Sequence, residues 1–183
     1  MKKRLFIAFT IPEDIKKDLL SCQEDKKIKR FNLRWQRLKN LHITLLFLGW
    51  QDEKKINDIL FAIQKSFLEF KPSLIEIVSI SLGPKKENQR LVWAQGKQNL
   101  ELENLRKMLI KNLKEQNVFF QEEKRPFQIH ITLARAKGRE LLGIDFQKEV
   151  FFTFLPKELV LFESILKKEG VEYRIIKTFN LKI

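Results

Sequence analysis

The sequence predicts an α+β fold in which two antiparallel sheets line a central cleft and helices pack outside them. Three observations carry this. Stretches with the β-branched, apolar composition of strands outnumber amphipathic helical stretches, and several follow one another directly, which implies antiparallel pairing. The tetrapeptide His-Ile-Thr-Leu occurs twice, at 42–45 and 130–133, about half the chain apart, as a bilobal pseudo-symmetric duplication would place it. The chain has two histidines, His42 and His130, and each falls in one of the copies.

In chain order, "RLFIAFT" at 4–10 reads as a first strand. Pro12 then opens a helix through "EDIKKDLLSC", with Ile15, Leu19 and Leu20 on its buried stripe. A basic segment covers 26–39. The first motif strand, 41–48, leads into an amphipathic helix at about 53–70, where Ile56, Ile59, Leu60, Ile63 and Phe67 recur at helical spacing. Segments 73–83 and 90–96 form a strand pair joined by a Gly-Pro turn. A second amphipathic helix spans about 98–116, with Leu102, Leu105, Leu109 and Leu113 on one face. The second motif strand, 128–135, is followed by a polar excursion containing Gly138 and Gly143. Strands at 150–154, 158–166 and 171–178 close the chain, the last two linked by the turn "KKEG".

With 183 residues, the expectation is a single domain, 1–183, made of two lobes and large enough to bury roughly two thirds of its unfolded surface. A hydrophobic share of 44% with 32% charged residues fits a soluble globular chain. The net charge of +13 admits two readings: a polyanionic partner such as nucleic acid, or lysine-rich solvated helices of no special function. A single cysteine, Cys22, excludes an internal disulfide and fits a reducing cytoplasm. It lies on a charged stretch with no histidine nearby in sequence, so the reading is structural, not nucleophilic. The basic, apolar start is followed at once by Pro12, Glu13 and Asp14, unlike a signal peptide. No apolar run approaches the about 20 residues that span a bilayer. The expectation is therefore a cytoplasmic monomer without membrane association.

In a regular strand successive side chains alternate faces, so His42 shares a face with Thr44 and His130 with Thr132. Ile43, Leu45 and Phe47 should take the opposite, core face. If the two strands meet across a cleft, two imidazoles and two hydroxyls surround one tetrahedral anion. Imidazole titrates near pH 6.5, so a neutral and a protonated histidine can serve together as base and acid in displacement at phosphorus, while threonine hydroxyls and arginines hold the equatorial oxygens. A lone strand histidine is more commonly a satisfied core residue; the matched pair is what favours catalysis. A metal centre lacks ligands: there is no third histidine, and neither motif contains Asp or Glu.

These motifs, with "RLFIAFTIP", "NLHITLLFLG", "RLVWAQG", "RPFQIHITLARAKG" and "LFESILKKEGVEYRIIKTFNL" around them, resemble the two-histidine (2H) phosphoesterase superfamily. More narrowly the chain resembles the RNA 2',3'-cyclic phosphodiesterases, also called 2'-5' RNA ligases. The resemblance implies hydrolysis of a terminal 2',3'-cyclic phosphate to a 2'-phosphomonoester, with possible reversal to 2'-5' ligation, and neither metal nor other cofactor. It implies His42 as proton donor to the 3'-oxygen, His130 as the base activating water, and Thr44 and Thr132 as phosphate binders.

Arg135 matches a family position, yet its odd offset from His130 turns it away from the cleft unless a bulge intervenes. Arg90 matches the arginine of the family's Arg-x-x-Trp segment and reads equally as a solvated hairpin arginine. Trp50 and Ile129 stand where the family commonly has glutamate and proline. Phe127, Trp50 and Trp35 are candidates for stacking on a base, with core packing the alternative. Two rival functions remain open: a phosphodiesterase for a small nucleotide such as ADP-ribose cyclic phosphate or 2'-5' oligoadenylate, and a non-catalytic RNA-binding module.

Overall fold

The structure, a computed structural model, describes residues 1–84, 89–123, 126–139, 141–167 and 170–181. Two sheets carry the architecture. The first has four strands in the order β3-β1-β8-β9, formed by His42–Asp52, Lys2–Thr10, Glu158–Lys167 and Gly170–Asn180. The second has five, β2-β6-β5-β4-β7, formed by Leu33–Trp35, His130–Ala136, Leu91–Gly96, Ile75–Gly83 and Gln147–Phe154. Every strand pair is antiparallel, so the predicted α+β class with two antiparallel sheets holds.

The lobes are not simply the two halves of the chain. The C-terminal hairpin β8–β9 returns to the sheet of β1 and β3, and β2, lying between the first helices and the first motif, crosses to pair with β6. Helices cover the outer faces: α1 at Glu13–Leu20, the single turn α2 at Lys26–Lys29, α3 at Ile56–Leu68 and α4 at Leu100–Glu115, with α3 and α4 packed on each other. The predicted stripes are the buried ones. Ile59 and Ile63 of α3 and Leu102, Leu105, Leu109 and Leu113 of α4 are fully enclosed, joining Ile43, Leu133 and Leu161 in one core that both sheets share. Asn99 starts α4 by accepting a hydrogen bond from the Leu102 amide. No helix among the described residues is long and apolar enough to cross a membrane.

Strand and helix ends lie within a few residues of expectation. The helix predicted from about 53 begins with one 3-10 turn at Glu53–Lys55 before α3. The three-residue strand β2 was not anticipated. Parts of the two predicted hairpin turns, 85–88 and 168–169, lie outside the described residues.

A second apolar cluster lies on the cleft side of the four-stranded sheet, where Phe6, Ala8, Val160 and Phe162 pack with Tyr173. This sheet therefore has a largely aliphatic face in the main core and an aromatic one toward the cleft, which matters for the histidine placed there.

Candidate active site

The motif strands β3 and β6 approach each other, and both histidines line one cleft of about 690 Å3, together with Thr44, Thr132, Arg90 and Arg135. All six residues singled out as catalytic or phosphate-binding thus come together. Phe127 does not: it lines a smaller neighbouring cavity, half-buried, with the Arg106 guanidinium 5.8 Å from its ring centroid. Trp35 lines the cleft, whereas Trp50 is largely solvent-exposed.

Two β-bulges, one in each motif, explain which side chains reach the cleft. Along β3, Thr44 pairs with Ala8 while Leu46 pairs with Ile7, leaving Leu45 as the extra residue. Along β6, Thr132 pairs with Trp93 while Ala134 pairs with Val92, leaving Leu133 as the extra residue. Both bulged leucines are buried, and both stand three residues after the histidine. A bulge inverts the alternation beyond it. The side chain five residues after each histidine therefore returns to the cleft: Phe47 in one lobe, Arg135 in the other.

Phe47, expected in the core from strict alternation, is accordingly 49% exposed and packs beside Phe6 at 6.1 Å between centroids. Arg135, expected to turn away unless a bulge intervened, faces the cleft because one does.

Each imidazole is fixed in the same way. Nδ1 of His42 lies 2.7 Å from the Asn40 carbonyl, and Nδ1 of His130 lies 3.0 Å from the Gln128 carbonyl. A carbonyl only accepts, so Nδ1–H donates in both rings, and Nε2 is the atom that gains or loses a proton. At His42 this Nε2 stands 3.0 Å from the Thr44 hydroxyl, within donating distance when the ring is neutral. Asn40 is itself held, its buried side chain donating to the Val171 carbonyl of β9 at 3.3 Å. The carbonyl two residues before each histidine is a positioning element that composition does not reveal.

The surroundings of the two rings differ. His42 rests among Phe6, Tyr173 and Phe162, at centroid distances of 5.0, 5.2 and 6.1 Å. This apolar burial pushes its pKa down to about 4; the Asn40 hydrogen bond opposes the shift, and the charges of His130 and Arg135 add to it. His42 is therefore neutral near pH 7 in the free protein. Burial likewise raises the Tyr173 phenol, while Arg135 and Arg4 pull it back. His130 packs instead against the buried indole of Trp93 at 5.1 Å.

The cleft is strongly cationic. Arg4, Arg34, Arg37, Arg90, Arg135 and Lys167 line it, against the single carboxylate of Glu172 among the described lining residues, and Glu172 is ion-paired with Lys167. Arg34 and Arg37 belong to the basic segment noted in the sequence, but only the pairing of β2 with β6 brings them to the motif strand. Among the described residues, no three His, Cys, Asp or Glu side chains gather into a group suited to hold a metal ion.

Residues 9–93 match the profile of the LigT-like phosphoesterases. The chain is 34% identical over 180 residues to an RNA 2',3'-cyclic phosphodiesterase of Methanocaldococcus jannaschii, covering 95% of this chain and 98% of that one. The chain belongs to the LigT-like phosphoesterase family. A Bacillus subtilis protein of the same name is 30% identical over 135 residues, covering 74% of this chain and 72% of that one. Among solved structures, a Thermus thermophilus protein superposes with a TM-score of 0.82 at 26% identity, over 97% of each chain. The Escherichia coli LigT complexed with 3'-AMP does so at 0.77 over the whole of both chains; at 23% identity this likeness concerns the fold. Membership makes this chain a phosphoric diester hydrolase by kinship.

Proposed function

We propose that this protein hydrolyses the 2',3'-cyclic phosphate at an RNA end to a 2'-phosphomonoester, with His42 and His130 as a general acid and base. The observation that supports this best is the matched pair of imidazoles, each tied through Nδ1 to a main-chain carbonyl, lining one arginine-rich cleft.

In this reading the cyclic phosphate lies between Thr44 and Thr132, with Arg135 stabilising the charge that grows on the equatorial oxygens. Nε2 of His130 takes a proton from water, whose oxygen attacks phosphorus opposite the bond to O3'. As that bond breaks, Nε2–H of His42 protonates O3'. Because Nδ1 already donates to Asn40, a proton added to His42 resides on Nε2, the atom beside Thr44. The free protein disfavours that proton; the anionic phosphate offsets the burial and the neighbouring positive charges, so that the acid is charged when substrate binds. Arg34, Arg37 and Lys167 extend the positive lining away from the motif, which favours an RNA strand over an isolated small nucleotide. One histidine comes from each lobe, so 1–183 acts as one catalytic unit.

The test incubates the protein, with EDTA present, with an oligonucleotide ending in a 2',3'-cyclic phosphate and separates 2'- from 3'-phosphate products. Formation of the 2'-phosphate by the wild type, lost in His42→Ala and His130→Ala, is the expected result. An unchanged substrate rejects the reading. Faster turnover of ADP-ribose cyclic phosphate than of the oligonucleotide would redirect it to small nucleotides, and salt-sensitive RNA binding indifferent to both substitutions would mean a non-catalytic module.

A further inference from the structure

Both bulged leucines give their main-chain carbonyl to a donor outside the ladder that carries the bulge. In β6 the Leu133 carbonyl accepts from the Gln36 amide at 2.8 Å, just past the end of β2, which pairs along β6. By contrast β3 is the outermost strand of its sheet, and among the described residues no strand pairs with its outer side. There the Leu45 carbonyl accepts from Nε of Arg106, a side chain of α4, at 3.2 Å. Beyond Nε the guanidinium lies over the ring of Phe127, just ahead of His130 in sequence. One half-buried arginine thus touches the segments of both motifs.

We propose that Arg106 is a positioning residue for Thr44: by holding the Leu45 carbonyl it fixes the bulge that sets where the Thr44 hydroxyl stands. The inference rests on Thr44 binding the phosphate, as in the proposed function. The carbonyl that Arg106 grips belongs to the residue after Thr44, the one left without a partner on β1, and a bulge is where the ladder constrains a strand least. Leu45 is buried, so its carbonyl would be left without a donor if the arginine went. Thr44 has two neighbours to satisfy. Its hydroxyl lies 3.0 Å from Nε2 of His42, and its side chain lines the cleft that receives the phosphate. A small turn of the backbone at Leu45 would spoil one contact or the other, and a misplacement of about 1 Å in such a constellation can cost about 10² in rate.

This role uses the donor at Nε and not the positive charge. Arg106 lines the smaller cavity and is not among the residues that line the cleft between the two histidines. Glutamine carries an N–H donor the same number of bonds from the backbone as Nε, without the charge. Methionine has a methyl carbon there, at equal length. Lysine keeps the charge but has a methylene carbon at that place. The three substitutions therefore separate donor from charge.

The experiment measures kcat/KM of the full-length protein on an oligonucleotide ending in a 2',3'-cyclic phosphate. Arg106→Met should lower it about tenfold, less than a full 1 Å misplacement would cost. Arg106→Lys should fall likewise, and Arg106→Gln should recover most of the loss. In a Thr44→Val background, itself impaired, Arg106→Met should cost less than about twofold more, because the residue through which it acts has gone. Thermal denaturation shows which variants are folded; should Arg106→Met not fold, Arg106→Lys carries the same comparison. An equal loss in both backgrounds overturns the inference, as does a loss in Arg106→Gln as large as in Arg106→Met, since the arginine would then act through charge or packing. Arg106→Met with the wild-type value, or Thr44→Val as active as the wild type, overturns it and spares the two-histidine reaction. A wild type inactive on the cyclic phosphate overturns the proposed function as well.

Discussion

The lobe around His42 and the lobe around His130 share a blueprint and differ in what fills it. Each offers a strand histidine, a threonine two positions on, a carbonyl two positions back and a bulged leucine three positions on. At the next cleft-facing position one lobe has Phe47 and the other Arg135. One imidazole sits among three aromatic rings that strip its water, the other packs against the indole of Trp93. Duplicated geometry thus supplies two imidazoles in matching orientation, and aromatic burial lowers the pKa of one of them, His42. In the proposed reaction the division into acid and base would rest on this unlike packing, since the backbone arrangement of the two rings is the same.

The most severe way to break this comparison is to remove either ring. His42→Ala and His130→Ala should each lower kcat by about 10² to 10⁴, and the double variant should fall little further, because the two act in one transition state. Steady-state kinetics on a cyclic phosphate substrate check this.

Next come the two residues that occupy equivalent places. Arg135→Gln should cost about 10² in kcat, as loss of a donor to developing charge does, whereas Phe47→Ala should cost less than about tenfold. Comparable losses at the two sites would refute the claim that at this matched position one motif strand supplies charge and the other packing.

A smaller effect should confine itself to one lobe. A Cβ at Gly83 would collide with the Trp93 indole, so Gly83→Ala must displace the ring that backs His130. We expect a stability loss of about 1–3 kcal/mol by thermal denaturation, and a change in the NMR signals of His130 larger than in those of His42.

The mildest perturbation is titration. With only two histidines in the chain, each ring can be followed separately. His42 should titrate near pH 4 in the free protein and higher once a nucleotide 2'-phosphate is bound, and Arg135→Gln should raise it by removing a positive neighbour. The sign for stability follows. Below the ordinary imidazole value of about 6.5 the unfolded chain binds a proton that folded His42 refuses, so folding weakens as pH falls from there toward 4. His42→Asn should lose less stability over that window in urea titrations at successive pH values.

Much of this was legible in the sequence. The paired motifs identified both histidines and both threonines, and helical periodicity located α3 and α4, because alternation and spacing are local properties. What escaped was non-local. Arg4 and Tyr173 enter the cleft from strands whose sequence place gives no hint of it, and Arg34 and Arg37 enter it from the segment before the first motif, which crosses to the other sheet. Leu33–Trp35 is a three-residue strand with a charged centre, too short for any period to register, and it exists because β6 offers it a partner. The anchoring carbonyls of Asn40 and Gln128 are backbone atoms that any residue supplies. Phe47 was misjudged because a rule of two was carried across an insertion that the letters do not mark.

That insertion makes the cleft a matter of phase. Were Leu133 instead paired with the neighbouring strand in regular step, everything beyond it would shift by one: the guanidinium of Arg135 would turn toward the packed interior and Ala136 would take its place in the cleft. No residue would have been altered, yet the pocket would lose the positive charge carried on its own motif strand. Loss of the leucine would leave Thr132 and Arg135 two positions apart and still on one face, so its part is to stay unpaired, and its burial among apolar neighbours is what anchors the kink.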